Sequence, residues 1–421
     1  MNRLKNKEKN INKYTISYLV ICMLIVSNFF NIVFIPLNLL KILHLFFDLL
    51  VLAMFLSLLF RGRFSNVLLE KFGFLIVFLI IVLLSIISAL IFRGQDLNET
   101  VRVSIRWIEY LVFFILIYKR INTYSIYNSL FIFSLIWLFC WIIGILVAPM
   151  VLFDSSGDYN SDLMNDTRGI YRLKISGEYF IYLGGLWSLS LYFKIKKRKF
   201  LYFFIISLIV VILSVSRQHI LAFILVSTIL LMTRINYIKK SLILLVIFIV
   251  YFFVLPQIPI YQKLNDLTKK QMQENNGGKD DVRVLGVLYY IKDFKSNTIQ
   301  KIIGNGMYHS ESDYGKEIYL TGLNKGFWLS DFGFVGIYIN YGIAGLICYI
   351  WFFTFVWKIK IIESFIGIKY FIYFLFLTNF ISHSFDISIL AISLALYLLY
   401  YGSYIYYKRK VYEKNISHIT Q

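Results

Sequence analysis

Repeated runs of about 20 mainly apolar residues, each long enough to cross a hydrocarbon layer about 30 Å thick as a helix, constrain this chain more than any other feature. About twelve such windows fit along its 421 residues, the first near 15–35 and the last near 388–407. With 59% hydrophobic residues and a mean hydropathy of +0.71, the chain lies outside the soluble range. Only helices or closed barrels satisfy the backbone in lipid, and runs this long specify helices. The expected fold is therefore all-α, a polytopic membrane protein with about 12 transmembrane helices and one large outer loop.

The hydrophobic runs also fix the organisation. Residues 1–256 form a membrane bundle of spans one to nine, 257–330 a polar outer loop, 331–407 spans ten to twelve, and 408–421 a cytoplasmic tail. The net charge of +20 does not gather on a nucleic-acid-binding face; it punctuates the apolar runs. Arg3, Lys5, Lys7, Lys9 and Lys13 precede the first run, and with that end inside, 25 of the 43 Lys and Arg residues fall on inner segments. Cytoplasmic loops carry such an excess, so both termini are expected in the cytoplasm. The first run lacks a small-residue cleavage site and reads as a retained span. Cys22, Cys140 and Cys348 all lie in spans, with neither disulfide nor metal-ligand spacing.

Several polar groups interrupt the lipid-facing pattern. His44 and Asp48 stand four apart on one helix face, a spacing suited to a hydrogen-bonded link between spans. The apolar run after Glu109 is too short to cross by itself, so its helix includes Arg102, Arg106 and Glu109, with Arg106 and Glu109 on one side. Arg172 and Lys174 mark the rim where the chain re-enters the membrane. Between two short runs, 201–216 and 218–232, stands Arg217, expected at a recessed hairpin tip in a cavity that opens outward. In the long loop, Asn275 to Gly278 is followed by a helical pattern that Arg283 opens, then by Ile303-Gly304-Asn305-Gly306, by Tyr308, His309 and Ser310, and by Ser330 and Asp331.

The chain has no Gly-Lys-Ser/Thr phosphate loop, no dinucleotide glycine fingerprint, no His-Glu-x-x-His and no cysteine cluster. ATP-driven transport and zinc proteolysis are poor readings on that ground, and no metal or cofactor is expected. The outer side is instead rich in arginine, whose planar fork suits the oxygens of a diphosphate.

The twelve-span plan, Ser216-Arg217 at the outer end of a helix pair, the large loop before the last spans, and the run from Ile303-Gly304-Asn305-Gly306 through Ser330-Asp331-Phe332-Gly333 to Tyr341-Gly342 together resemble the Wzy-type oligosaccharide repeat-unit polymerases. More distantly, they resemble the O-antigen ligases. The resemblance implies a GT-C-like membrane fold and an inverting, metal-independent glycosyltransferase in the bacterial inner membrane. Its donor and acceptor would be glycans linked to undecaprenyl diphosphate, within a setting of membrane lipid, and it leaves room for a chain-length regulator and a flippase as partners. It assigns the diphosphates to Arg217, Arg172 and Arg283 and leaves His309 and Asp331 as rival proton acceptors; Arg106, by its own place in the fourth span, offers a further cationic wall for an anionic headgroup. A ligase of the same superfamily, or a flippase for the lipid-linked glycan, is the alternative.

Overall fold

The computed structural model describes residues 13–61, 66–147, 150–153, 173, 175–214, 216–233, 257, 262, 281–294, 296–380, 382 and 388–419. Among them the chain is all-helical, and the only strand-like pairing is a single bridge between Ile32 and Phe153. Helix α1 (Lys13–Val26) is followed by α2 (Leu37–Phe60), α3 (Asn66–Arg93), α4 (Leu97–Ser104), a 3₁₀ segment (Ile105–Leu111), α5 (Val112–Lys119) and α6 (Thr123–Leu146). Then come α7 (Glu178–Ile195), α8 (Arg198–Leu213) and α9 (Arg217–Met232). The described part of the long loop holds α10 (Val282–Leu288), α11 (Thr298–Ile303) and α12 (Asp313–Lys325); α13 (Gly333–Lys358), α14 (Ile366–Thr378) and α15 (Ile389–Ile419) complete the chain.

Five described helices are long and apolar enough to cross a membrane: α2, the Phe72–Arg93 part of α3, α6, α13 and the Ile389–Tyr412 part of α15. Helices α1 and α9 are apolar but shorter. The expected ninth span near 240–256, and Arg172 with the segment before it, lie outside the described residues.

Contacts sort the helix ends into two opposite sets. At one end, Ser176 donates to the Ser27 carbonyl at 2.6 Å and Val33 N–H to Leu152 O at 3.0 Å, which gathers the α1–α2, α6 and α7 termini. At the other end, Lys194 pairs with Glu363 at 3.0 Å, Trp187 donates to Ser364 O at 3.2 Å, and Tyr397 donates to Ile121 O. The second end carries Lys119, Arg120, Lys194 to Lys199, Lys358, Lys360 and Lys369. We call the two ends the loop end and the basic end.

Helix α7 is the most enclosed element, buried from Tyr179 through Leu191. Its composition explains this. Apolar residues surround it on all sides, and Gly184, Gly185, Ser188 and Ser190 admit close neighbours. Phe203 and Ser207 of α8 lie directly against the two glycines. Between α3, the 3₁₀ segment and α13, Trp107 stacks on Tyr110 at 5.7 Å and meets Tyr341 edge-on at 5.2 Å.

Two backbone departures serve the loop end. Asn28, Phe29, Phe30 and Asn31 all have positive φ, a left-handed turn of four non-glycine residues between α1 and α2. Each such residue costs about 1–2 kcal/mol, so surrounding packing must hold the turn. Helix α13 breaks at Gly342 (φ 67°, ψ −168°), a conformation essentially confined to glycine.

Candidate functional site

The break at Gly342 explains how the long loop is seated. An interrupted helix frees carbonyls, and the loop residues Gly304 to Gly306 take them up. Asn305 N–H donates to Ile339 O at 2.8 Å, Gly306 N–H to Asn340 O at 3.0 Å, and the Asn305 amide to Ile339 O at 3.0 Å. The approach is backbone against backbone. A Cβ on Gly304 would collide with the Asn340 carbonyl, and one on Gly342 with the Ile302 carbonyl. The two glycine motifs of the sequence, far apart in the chain, are thus halves of one junction.

Arg93 at the end of α3 is the second anchor. Its Nε and Nη2 donate to Asn305 Oδ1 at 3.0 and 2.8 Å, and its Nη1 approaches Glu317 at 3.3 Å. The guanidinium lies 4.7 Å from the Phe294 ring and 4.8 Å from the Tyr314 ring, a stacking that favours a cation. The loop therefore has its own small core, in which Tyr290, Phe294, Tyr314, Ile318, Leu329 and Phe332 pack together. Burial pushes the Tyr290, Tyr308 and Tyr314 phenols up, so these hydroxyls are neutral donors and not bases.

His309 sits in this cradle, buried, with its backbone N–H donating to Gln95 Oε1 at 2.9 Å. Gln95 also accepts from Ser312 at 3.0 Å and donates to Met307 O at 3.1 Å. The His309 Nδ1 accepts from Glu311 N–H at 3.3 Å. In the neutral ring the proton is then on Nε2, with the carboxylates of Glu99 and Glu311 close by.

Arg217 is exposed at the first position of α9, with Ser216 in extended conformation as its N-cap. Only residues 214–216 join α8 to α9, as the short spacing predicts. Two residues into the helix, buried His219 presents Nδ1 to Glu178 Oε1 at 3.5 Å and Nε2 to the Tyr179 hydroxyl at 3.4 Å. The Tyr182 and Phe374 rings close in at 6.0 and 5.9 Å. This dyad was not read from the sequence. The signal available was Glu178 opening a helix and His219 two residues beyond Arg217, but nothing local says that α7 and α9 meet.

The other sequence candidates occupy separate supports. Arg283 is exposed in α10, whose N-cap Asp281 accepts from the Arg283 N–H at 2.8 Å. Asp331 is exposed at the end of a 3₁₀ turn, Leu329–Asp331. Arg106 is exposed in the 3₁₀ segment after α4. Glu109, placed by its spacing on one helix side with Arg106, is buried and reaches His44 Nε2 at 2.9 Å, while Arg106, three residues before it in the same 3₁₀ segment, is exposed. His44 does link helices, as its spacing with Asp48 suggests, through this glutamate, with Asp48 close by.

Comparison with protein-family models gives no match, and no curated protein matches the chain.

Proposed function

We propose that this chain is a polymerase of the Wzy type, with about 12 spans, joining undecaprenyl-diphosphate-linked oligosaccharide units at the outer face of the bacterial inner membrane. The observation that carries the reading is the loop end itself: an exposed arginine on a helix N-terminus beside a buried His–carboxylate pair, on the same side as a folded loop of polar and aromatic residues. The N-terminus of α9 adds its positive dipole end to the Arg217 charge, a setting that suits a diphosphate.

In this mechanism the acceptor sugar hydroxyl loses its proton to a base as its oxygen attacks the anomeric carbon of the donor. The carbon–oxygen bond to the diphosphate breaks, and that diphosphate leaves with the bonding electrons. Negative charge grows on it as the bond breaks, where a fixed arginine stabilises the transition state. His219, oriented by Glu178, offers a base close to that arginine, while Asp331 and His309 would have to act from the loop.

The test is the glycan profile of cells lacking the protein. Single repeat units on the normal acceptor, with longer chains gone, are expected. Arg217→Ala should reproduce that profile while the protein stays in the membrane, and Arg217→Lys should restore little, because a point charge lacks the bidentate fork. Long chains stranded on their lipid carrier would point to a ligase, and units trapped on the cytoplasmic side would mean a flippase.

A further inference from the structure

At the loop end, three buried titratable side chains from two elements converge. His44 and Asp48 come from α2 and Glu109 from the 3₁₀ segment, and their exposures are 6%, 1% and 2%. One ligand atom from each, a ring nitrogen and two carboxylate oxygens, lies within 4.8 Å of the other two. The carboxylates are not satisfied by the protein. Asp48 Oδ1 and Glu109 Oε2 are buried with no hydrogen-bond partner among the described residues. Orphaned carboxylate oxygens at this depth are expensive, and the cost calls for a counter-charge.

The histidine is prepared on its far side. His44 Nδ1 faces Asn28 Oδ1 at 3.2 Å, and Asn28 is delivered there by the left-handed turn between α1 and α2. An Nδ1–H donated to an amide oxygen leaves Nε2 as the lone-pair nitrogen, the orientation found in metal-bound histidines. That Nε2 points at the Glu109 carboxylate, 2.9 Å from its Oε1. Exposed Arg106 lies near enough to act on the Asp48 charge, from the solvent side. On the other side, Phe47 and Val51 line a mainly apolar cavity of about 440 Å³ whose walls also include Cys22 and Met23.

We propose that His44, Asp48 and Glu109 bind a divalent transition metal of the zinc class, which braces the left-handed turn, α2 and the 3₁₀ segment against one another. One imidazole and two carboxylates suit such an ion better than magnesium or calcium, which prefer all-oxygen shells. Ligand atoms about 2.0–2.2 Å from zinc stand roughly 3.3–3.6 Å apart in a tetrahedron, so the 2.9 Å His44–Glu109 contact opens by about half an ångström and the Asp48 oxygen, within 4.8 Å of both, closes to the same separation. The metal displaces the proton shared across that contact. This site is separate from Arg217, and its test does not depend on the polymerase reading.

The full chain, purified in detergent and stripped with chelator, is loaded with zinc chloride, desalted, and measured for bound metal and for thermal unfolding. About one zinc per chain and a raised Tm are expected for the native protein, with less than about a tenth of that zinc in Asp48→Asn/Glu109→Gln. Cobalt chloride should give the visible absorption of a bound low-symmetry ion in the native protein and none in His44→Gln. Equal zinc in native and variant chains, or an unchanged Tm, would overturn the proposal and leave the carboxylates sharing a proton only. Should the variants not fold, the native protein decides: no cobalt absorption that chelator reverses means no site.

Discussion

At the scale of single residues, Gly342 and Arg217 illustrate two kinds of legibility. Gly342 looks in the sequence like one of several small residues that ease helix packing. In the structure it occupies a backbone region that side chains avoid and lies against the Ile302 carbonyl. Gly342→Ala should therefore cost about 2–4 kcal/mol, from backbone strain together with the collision, and a fall in Tm of the purified protein would measure it. A Tm within a degree of the native value would mean that the helix break is not needed. The place of Arg217, at the head of α9 after a tight connection, was legible because a charge stands between two short apolar runs. Its neighbours Glu178 and His219 were not legible, since their pairing needs α7 and α9 side by side.

At the scale of elements, the loop is a small folded unit clamped to α3. Its helices α10, α11 and α12 are capped locally, by Asp281, by an Asn297–Gln300 capping box and by Ser312, all of which short-range chemistry can explain. Beside the Gly304–Gly306 junction, what fixes the unit to the bundle is Arg93, a residue that in sequence looks like an ordinary cation ending an apolar helix. Arg93→Met keeps the apolar stem but loses both ring contacts and the Asn305 bonds, and should destabilise the docking of the loop by about 2–4 kcal/mol. The partly exposed Glu317 pairing adds little to that figure. Faster proteolytic cleavage within 296–331 in the variant, at unchanged integrity of the helices, is the expected readout; native-like resistance would remove Arg93 as the clamp.

At the scale of the whole molecule, the two sets of helix ends give the proposed topology a direct check. Exposed Lys316 belongs to the loop end and exposed Lys197 to the basic end. In a chain with Cys22, Cys140 and Cys348 replaced, Lys316→Cys should react with an impermeant maleimide in intact cells, and Lys197→Cys only after the membrane is opened. Reaction of both from one side would break the alternation on which the outward placement of Arg217 rests.

The sequence by itself determined the all-helical, membrane-type character of the chain, the alternation of basic segments, the tight α8–α9 connection and the helical content of the loop. These are local properties: runs of apolar residues, their period and their caps act over one or two helix turns. Tertiary structure alone decided which polar groups meet. His44 finds Glu109 from 65 residues away, Arg93 finds Asn305 from 212, and Ser88 finds the Gly304 carbonyl from 216. A buried polar group is satisfied by whichever partner the packing of helices brings near, and one-dimensional spacing carries no record of that choice.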